Sequence, residues 1–377
     1  MNDDTIAALQ TLQALKVSQG AELRPTDDET NQGSTRRSIA VTFGNSLATI
    51  ATAQSGVAVY DRSHWGRIAV GDGDRLRFLH NQSTNSFTNL QPGQGCETVF
   101  VTSTARTIDL VSAYARPESV LLLTHPTCRE SLFKWMDRFI FFSDKVKLTD
   151  ETDKTVVFSL MGPESTALLA KLGLTVGVTM NHHHETVMFE GVEIMVAVGS
   201  GLALPGYTLI APVQVGATLW EAIATAGATL IGEAEWEYLR ICQGRPAPGT
   251  ELTDDYNPLE AGLWQTITFD KGCYIGQETI ARLETYKGVK QQLWGVQLSQ
   301  RVDPNTPLLL DGKKVGRVTS LVAPDFAGES GITGLGYVRT KAGGVGLTLQ
   351  VGDAESEITA TVVEVPFLTR SRQDQPA

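Results

Sequence analysis

The chain has 377 residues, of which 42% are hydrophobic and 19% charged, and its formal net charge is −11. This length predicts two or three domains rather than one. The acidic balance argues against a general nucleic-acid-binding surface, and no apolar run approaches the roughly 20 residues of a membrane span. The first thirty residues carry six acids against Lys16 and Arg24 and lack an apolar signal region. We therefore expect a cytoplasmic protein that binds neither nucleic acid nor membrane directly.

The metal-binding residue types do not form a recognisable site in the sequence. The four cysteines lie far apart and include no CxxC pair, which argues against structural zinc and a self-contained iron–sulfur cluster. In a cytoplasmic protein they are expected to be reduced thiols. The run His182-His183-His184 cannot aim three adjacent side chains at one ion, so we predict a loop there and no metal site.

The N-terminal region begins with a predicted helix over Thr5–Val17, because Ile6, Leu9, Leu12 and Leu15 recur at roughly helical spacing. The polar stretch that follows, 19–37, is predicted to be a linker or surface loop. Strand and helix signals then alternate without a regular period. No Gly-x-Gly-x-x-Gly motif opens a βαβ unit, so a dinucleotide-binding fold has no support.

After Tyr286 the pattern changes to short strands. Leu308–Leu310 and Lys313–Val322 flank Asp311-Gly312, which predicts a hairpin with a type I′ turn because both turn residues accept positive φ. Further short strands predict a small C-terminal barrel or sandwich. The tail from Arg370 is predicted to be disordered.

The most informative segment is Lys271-Gly272-Cys273-Tyr274-Ile275-Gly276-Gln277-Glu278. Two glycines let the backbone turn tightly and approach a ligand, and a helix is predicted to start at Gln277. A helix N-terminus and a nearby lysine both favour a thiolate at Cys273. Cys273 and Lys271 are therefore the candidate catalytic residues. From the residues alone a second interpretation stays open, in which Cys273 is a small buried residue that only fills space.

This octapeptide resembles the K-G-C-Y-x-G-Q-E signature of the YgfZ branch of the folate-binding aminomethyltransferase (glycine cleavage T-protein) superfamily. The resemblance extends from about Gly56 to Val338 and is weaker around 175–198. It rests on several shorter segments: Gly66–Val70, Phe78–Thr84, Leu160–Pro163, Tyr238–Ile241, Pro258–Leu263 and Gly316–Ser320.

The resemblance implies an α+β fold in which two ferredoxin-like modules and a small C-terminal β-barrel surround a central tetrahydrofolate channel. Applied to this chain, it predicts an N-terminal helix and linker at 1–37 and a first folate-binding module at 38–150. The first module would be completed by about 245–285. The second module would span 151–244, and the barrel and tail 286–377.

The resemblance also supplies candidate cofactor-binding residues. Asp109 matches the first acid of an I-D-D segment whose second acid is Leu110 here, and an outward-facing surface position is its alternative. Arg240 presents a planar fork suited to the folate carboxylates, or else forms a structural ion pair. Glu260 is a second carboxylate for the pterin edge, or else a cap or a surface charge. The rest of the candidate set comes from the signature: Tyr274, Gln277 and Glu278.

Three functions remain open. The first is a tetrahydrofolate-binding accessory factor for iron–sulfur cluster assembly or repair, which would support radical enzymes that modify tRNA and have iron–sulfur proteins or assembly factors as clients. The second is an aminomethyltransferase that moves one-carbon units to tetrahydrofolate. The third is a non-catalytic folate- or partner-binding module. Cys273 favours the first, and the loss of an acid at Leu110 weakens the second.

Overall fold

The computed structural model describes residues 3–26, 38–44, 46–322 and 332–371. These form eight α-helices and nineteen strands. The helices are α1 (Asp3–Ser18), α2 (Ser46–Ser55), α3 (Arg75–Gln82), α4 (Arg129–Asp137), α5 (Ser165–Lys171), α6 (Gly216–Thr225), α7 (Glu233–Gln243) and α8 (Gln277–Thr285). The first thirteen strands are β1 (Glu22–Pro25), β2 (Ser38–Thr42), β3 (Ala58–Asp61), β4 (Gly66–Gly71), β5 (Gly95–Val101), β6 (Thr107–Ala115), β7 (Ser119–Thr124), β8 (Lys147–Asp150), β9 (Thr155–Met161), β10 (His184–Phe189), β11 (Val192–Val198), β12 (Gly206–Pro212) and β13 (Thr229–Ile231). The remaining strands are β14 (Gln291–Leu298), β15 (Pro307–Leu310), β16 (Lys313–Leu321), β17 (Ile332–Arg339), β18 (Thr348–Val351) and β19 (Thr359–Val363).

Contacts within the chain divide it into two units, and neither is continuous in sequence. The first unit consists of Met1–Arg75, Leu90–Cys96 and Ser112–Glu237. The second consists of Leu76–Asn89, Glu97–Val111 and Tyr238–Ala377. Segments that are distant in sequence therefore belong to the same unit.

The first unit is built on a six-stranded sheet in the order β10-β11-β12-β9-β3-β13. Helix α1 confirms the predicted N-terminal helix, and its Leu9 and Leu12 are buried in the same core as Phe158 of β9 and Trp220 of α6. Burying such apolar side chains is the main force that holds the helix in place.

The predicted linker after α1 is wrong for Glu22–Pro25. These residues form β1, which pairs antiparallel with β2. A polar edge strand of four residues has no strong pattern of its own, and its partner begins 13 residues beyond its end. Residues 27–37 of the predicted linker lie outside the described residues.

The second unit contains a closed barrel in the order β14-β17-β16-β15-β18-β19. The predicted hairpin is confirmed as β15 and β16, with φ of 50° at Asp311 and 71° at Gly312. Val296, Val318 and Leu349 fill the barrel interior. The predicted α+β fold with a small C-terminal barrel is thereby confirmed.

A five-stranded sheet, the C-terminal residues and the lengths of the helices complete the description of the fold. The five-stranded sheet has the order β5-β6-β7-β4-β8. Near the C-terminus, Arg370 lies over Trp294 with 3.6 Å between the guanidinium and the ring centroid. The predicted disordered tail therefore does not begin at Arg370, and 372–377 lie outside the described residues. Across the described helices, none has the length and apolar character needed to cross a membrane.

Candidate functional site

The signature segment forms a turn that leads directly into α8. Gly276 precedes the helix with φ of 82°, a conformation that residues with a Cβ rarely adopt. A Cβ at this position would lie 3.0 Å from the Thr102 carbonyl oxygen and 3.0 Å from Val101 Cγ2. Glycine is thus required both by the backbone angle and by the close approach of β5.

Lys271 holds this turn against α3. Its ammonium group donates to the backbone carbonyl oxygens of His80, Ser83 and Asn85, at 2.5, 2.7 and 2.6 Å. The last carbonyls of a helix lack intrahelical partners, and a cation at that end is favoured by the helix dipole. Lys271 therefore caps the C-terminus of α3, a role that the sequence did not predict.

Cys273 is exposed, whereas Cys128 is buried and Cys96 and Cys242 are partly buried; all four are free thiols. Burial raises the pKa of the Cys242 thiol, which disfavours its thiolate. The interpretation of Cys273 as a buried space-filling residue is wrong, because the turn between Gly272 and Gly276 leaves its side chain in solvent.

The other signature residues fix the turn. Tyr274 N–H donates to Gln277 Oε1 at 3.3 Å, and Gln277 N–H donates to the Tyr274 carbonyl oxygen at 3.2 Å. The Lys271 ammonium lies 4.6 Å from the centroid of the Tyr274 ring, and burial raises the pKa of Tyr274 to about 12. Glu278 is exposed in the first turn of α8, where the helix dipole favours an acid.

His80 is a residue of this site that the sequence analysis missed. Its Nε2 lies 3.4 Å from the position that a Cβ on Gly272 would occupy. Its Nδ1 accepts a hydrogen bond from Phe87 N–H at 3.4 Å and lies 3.5 Å from Ser86 Oγ. Burial, and then the charge of Lys271, lower the pKa of His80. His80 belongs to the Phe78–Thr84 segment noted in the sequence, but only the fold brings it beside Gly272.

Asp109 is fully buried in β6, so the alternative of an outward-facing surface position is wrong. Thr107, Asp109 and Leu110 are all buried, which means that the strand does not alternate between a core and a solvent face. Leu110 packs in an apolar cluster with Val99 and Leu263. A second carboxylate at this position would have no polar environment.

Arg240 lies in a buried polar network of the second unit. Its Nη1 donates to Glu251 Oε2 at 3.0 Å and to the Arg245 carbonyl oxygen at 2.7 Å, and its Nη2 donates to Ser320 Oγ at 3.1 Å. Burial opposes ionisation of Glu251, but Arg240 and the surrounding hydroxyls outweigh it and the pKa of Glu251 is lowered. The structure thus contains the ion pair that was one of the two interpretations of Arg240.

Glu260 occupies a second polar cluster of the same unit. Its Oε2 accepts from Asn257 N–H at 3.2 Å and lies 3.9 Å from Arg106 Nη1. Burial raises the pKa of Glu260 despite these partners.

The histidine run lies away from these groups in the sequence and adopts mixed structure. His182 has φ of 63°, and His184 is buried at the start of β10 with its ring centroid 5.7 Å from that of Tyr114. In the part of the chain that the structure describes, no three His, Cys, Asp or Glu side chains are grouped to hold a metal ion.

Comparison with known proteins identifies the family. The GCVT N-terminal domain model matches residues 37–271. An Arabidopsis thaliana protein named "Putative transferase, chloroplastic" is 44% identical over 329 residues, which cover 87% of this chain and 75% of that protein. An aminomethyltransferase from Thermosynechococcus vestitus is 26% identical over 319 residues, covering 84% and 86% of the two chains.

The fold agrees with a solved structure. The glycine cleavage system aminomethyltransferase T from Bartonella henselae superposes with a TM-score of 0.80 at 19% identity, covering 96% of this chain and 98% of that one. Since the family model spans more than half of the sequence and the Arabidopsis protein is similar over most of its length, this chain belongs to the GCVT N-terminal domain family.

Proposed function

We propose that this protein is a tetrahydrofolate-binding accessory factor for iron–sulfur cluster assembly or repair, on the YgfZ branch of its superfamily, with Cys273 as the working group. Its clients would be iron–sulfur proteins or their assembly factors, including radical enzymes that modify tRNA. The cytoplasmic location and the lack of direct binding to nucleic acid or membrane are part of this proposal.

The observation that carries the proposal is the exposed thiol of Cys273, which lies on a turn that several interactions hold in place. The residues around it are held by Lys271 on α3, by the reciprocal Tyr274–Gln277 hydrogen bonds and by the left-handed Gly276. A thiolate there can form a transient disulfide or mixed adduct, or contact the iron of a client's cluster for a limited time. A residue that served packing alone would need no such exposure.

Folate binding is supported by the family and by the polar groups of the second unit. Asp109 and Glu260 are buried carboxyl groups that suit the amino and ring N–H donors of a pterin. We expect a Kd in the micromolar range, roughly −8 kcal/mol, measured by titration calorimetry with tetrahydrofolate. If millimolar folate produced neither binding heat nor a shift in melting temperature, this part of the proposal would be refuted.

The second candidate function is an aminomethyltransferase, which the names of several relatives favour. Leu110 argues against it, because an apolar cluster occupies the position of the second acid. We expect no methylene-tetrahydrofolate from lipoylated H-protein in reconstituted glycine cleavage. Product formation at a rate near that of a true aminomethyltransferase would make this second function the better one.

A third candidate function is a non-catalytic folate- or partner-binding module. It predicts that Cys273 is dispensable.

A genetic experiment separates these functions. A null strain would be assayed for iron–sulfur enzyme activities and complemented with wild-type, Cys273→Ala and Cys242→Ala proteins. We expect wild-type and Cys242→Ala to restore activity and Cys273→Ala to fail at equal protein abundance. Full complementation by Cys273→Ala would remove the thiol from the mechanism.

A further inference from the structure

The residues that follow the last strand of the barrel form part of the second unit. We call 364–370, which begin directly after β19, the C-terminal strap. Val365 and Leu368 are buried in an apolar cluster that also contains Ile241 and Leu293. Because burial of apolar side chains stabilises even a segment without regular secondary structure, the strap belongs to the core of this unit.

Backbone hydrogen bonds attach the strap to two earlier segments. Phe367 N–H donates to the Gln243 carbonyl oxygen at 2.9 Å, and Thr369 N–H donates to the Gly262 carbonyl oxygen at 2.8 Å. Gly262 has φ of 71°, and a Cβ on it would lie 3.0 Å from Leu368 Cβ. Glycine at this position therefore lets the strap approach the backbone closely.

The side chain of Gln265 adds a second attachment. Gln265 N–H donates to Thr369 Oγ1 at 3.2 Å, and the Thr369 hydroxyl donates in turn to Gln265 Oε1. Gln265 Nε2 donates to the Phe367 carbonyl oxygen at 3.3 Å. Thr369 thus holds the stretch from Gly262 to Gln265, which lies in the sequence between Glu260 and the signature segment.

Arg370 reaches Glu260 through one intermediate residue. Its Nη1 donates to the Leu293 carbonyl oxygen at 2.6 Å, and Leu293 N–H donates to the Glu260 carbonyl oxygen at 2.9 Å. The guanidinium lies over the Trp294 ring, where cation–π attraction favours this placement. The strap therefore holds the backbone at the Glu260 carbonyl, through Leu293, and again two residues later at Gly262.

The position of this backbone determines where the carboxyl group of Glu260 lies. The side chain is 8% exposed and is enclosed by Asn257 N–H and Arg106. A buried carboxylate that accepts two parallel N–H bonds from a ring edge has a narrow range of useful positions, and an error of about 1 Å is enough to weaken binding.

We propose that Thr369 and Arg370 are positioning residues for Glu260, so that the C-terminal strap holds this carboxyl group in place for the pterin ring of tetrahydrofolate. The proposal deepens the proposed function, since it rests on Glu260 being a folate-binding residue. Both residues act through the backbone, Thr369 at Gly262 and Arg370 at Leu293.

Titration calorimetry of the full chain with tetrahydrofolate tests the role of Arg370. Arg370→Met keeps an apolar stem over Trp294 but removes the donor to Leu293, so the Kd should rise by about five- to tenfold. Arg370→Lys retains a cation that can reach one carbonyl oxygen, and its Kd should stay within about threefold of wild type. The matched control is Glu364→Gln, which removes the exposed partner of Arg370 without touching Leu293 and should leave the Kd unchanged.

Thr369 is tested by the same titration. Thr369→Val keeps the shape of the side chain but removes the hydroxyl shared with Gln265, so the Kd should rise by about three- to fivefold. Thr369→Ser retains the hydroxyl and should bind within about twofold of wild type. Melting temperatures establish that every variant is folded. An unchanged Kd in both Arg370→Met and Thr369→Val, or equal weakening by Arg370→Met and Glu364→Gln, would overturn the positioning role.

Hydrogen–deuterium exchange without folate gives a readout that does not depend on binding. The amides of 260–266 should exchange faster in Arg370→Met than in Glu364→Gln, because only the first variant loosens the backbone around Glu260. Equal exchange in the two variants would show that Arg370 does not hold this segment.

The failure of this inference can be told apart from that of the proposed function. If the wild-type protein bound no tetrahydrofolate, folate binding would fail and the role of the strap in it would fail too. If the wild-type protein bound tetrahydrofolate while the strap variants kept its Kd, folate binding would stand and the strap would be only structural.

Discussion

Two lysines, one in each unit, have ammonium groups that are shielded from water but bound by different partners. Lys16 of α1 is 2% exposed and donates to the buried carboxylate of Asp61 at the end of β3. Lys271 is partly buried and donates to three backbone carbonyl oxygens. The first ammonium is matched by a full negative charge, and the second is bound by peptide dipoles.

The difference shows in the neighbouring titratable groups. Burial would raise the pKa of Asp61, but the charge and hydrogen bond of Lys16 lower it, and so do hydrogen bonds from the side chain and backbone of Ser63. At His80, beside the turn that carries Cys273, burial lowers the pKa and the charge of Lys271 lowers it further. A lysine paired with a carboxylate fixes structure, whereas a lysine held by carbonyls can also set the charge of a site.

Acid is expected to have the largest effect on the free energy of unfolding, because it protonates the buried carboxylates of both units. The pKa values of Asp61 and Glu251 are lowered in the folded state, so their contribution to stability is present above about pH 4, the pKa of the unfolded groups, and is lost as pH falls through the folded values. Burial also lowers the pKa of His64 to about 3, which adds a loss of stability below about pH 6.5, where the unfolded histidine takes up a proton. Urea unfolding from pH 8 to pH 3 should show the free energy of unfolding falling in these two windows. A value that stays constant from pH 7 to pH 3.5 would contradict the role of these groups.

Asp61→Ala should be the most damaging single substitution. It leaves the Lys16 ammonium buried without its carboxylate, which typically costs about 3–5 kcal/mol. Urea unfolding measures the loss, and the matched control is Lys16→Met combined with Asp61→Leu, which removes both charges and should cost much less. A single variant within about 1 kcal/mol of wild type would show that the pair is not essential to the first unit.

Arg240→Lys tests whether the buried pair of the second unit is structural. A lysine cannot reach the Arg245 carbonyl, Glu251 and Ser320 together, so we expect a loss of roughly 2–4 kcal/mol in the absence of folate. The control is Arg317→Lys, whose partner Asp255 is exposed and whose loss should be about 1 kcal/mol or less. If Arg240→Lys unfolds like wild type and only weakens folate binding, its predicted cofactor role prevails over its structural one.

Lys271→Met should have a moderate effect on stability and a clear effect on the thiol. Three carbonyl oxygens at the end of α3 lose their donor, which we expect to cost about 1–3 kcal/mol. Slower alkylation of Cys273 should accompany this loss. Lys313→Met, at an exposed position of the barrel hairpin, is the control and should change stability by no more than about 0.5 kcal/mol. Equal behaviour of the two variants would mean that Lys271 is an ordinary surface lysine.

Cys273→Ala should have the smallest effect on stability, within about 0.5 kcal/mol, because the side chain is exposed. Cys128→Ala serves as the comparison, since that thiol is buried at the start of α4 and its removal should cost about 1 kcal/mol. Thermal unfolding measures both. A large destabilisation by Cys273→Ala would assign the thiol a structural role.

Local patterns in the sequence were sufficient for α1, for the start of α8 and for the Asp311-Gly312 hairpin, because each depends on neighbouring residues. They were not sufficient for β1, whose identity as a strand depends on β2 beyond an intervening polar stretch. Asp109 was open to misreading because alternation indicates exposure only where one face of a strand meets solvent, and β6 is buried on both faces.

The site shows the same limit. Cys273 and Lys271 were found from one octapeptide, but His80 lies 191 residues before Lys271 and carries no motif that links the two. Glu251, the partner of Arg240, follows Gly249-Thr250 in a stretch that has the composition of a surface turn. Partners joined by tertiary structure alone leave no mark on local sequence.

The discontinuity of the second unit has a consequence for synthesis on the ribosome. Leu76–Asn89, which includes α3, and Glu97–Val111 emerge early, but the rest of the unit begins only at Tyr238. At about 5–20 residues per second, the early segments wait roughly 10–30 s for their partners. During that interval Phe78, Leu79 and Phe87, all buried in the finished protein, have no completed core to enter. The nascent chain is therefore expected to expose an apolar surface that chaperones recognise until the segment carrying Lys271 and Cys273 has left the exit tunnel.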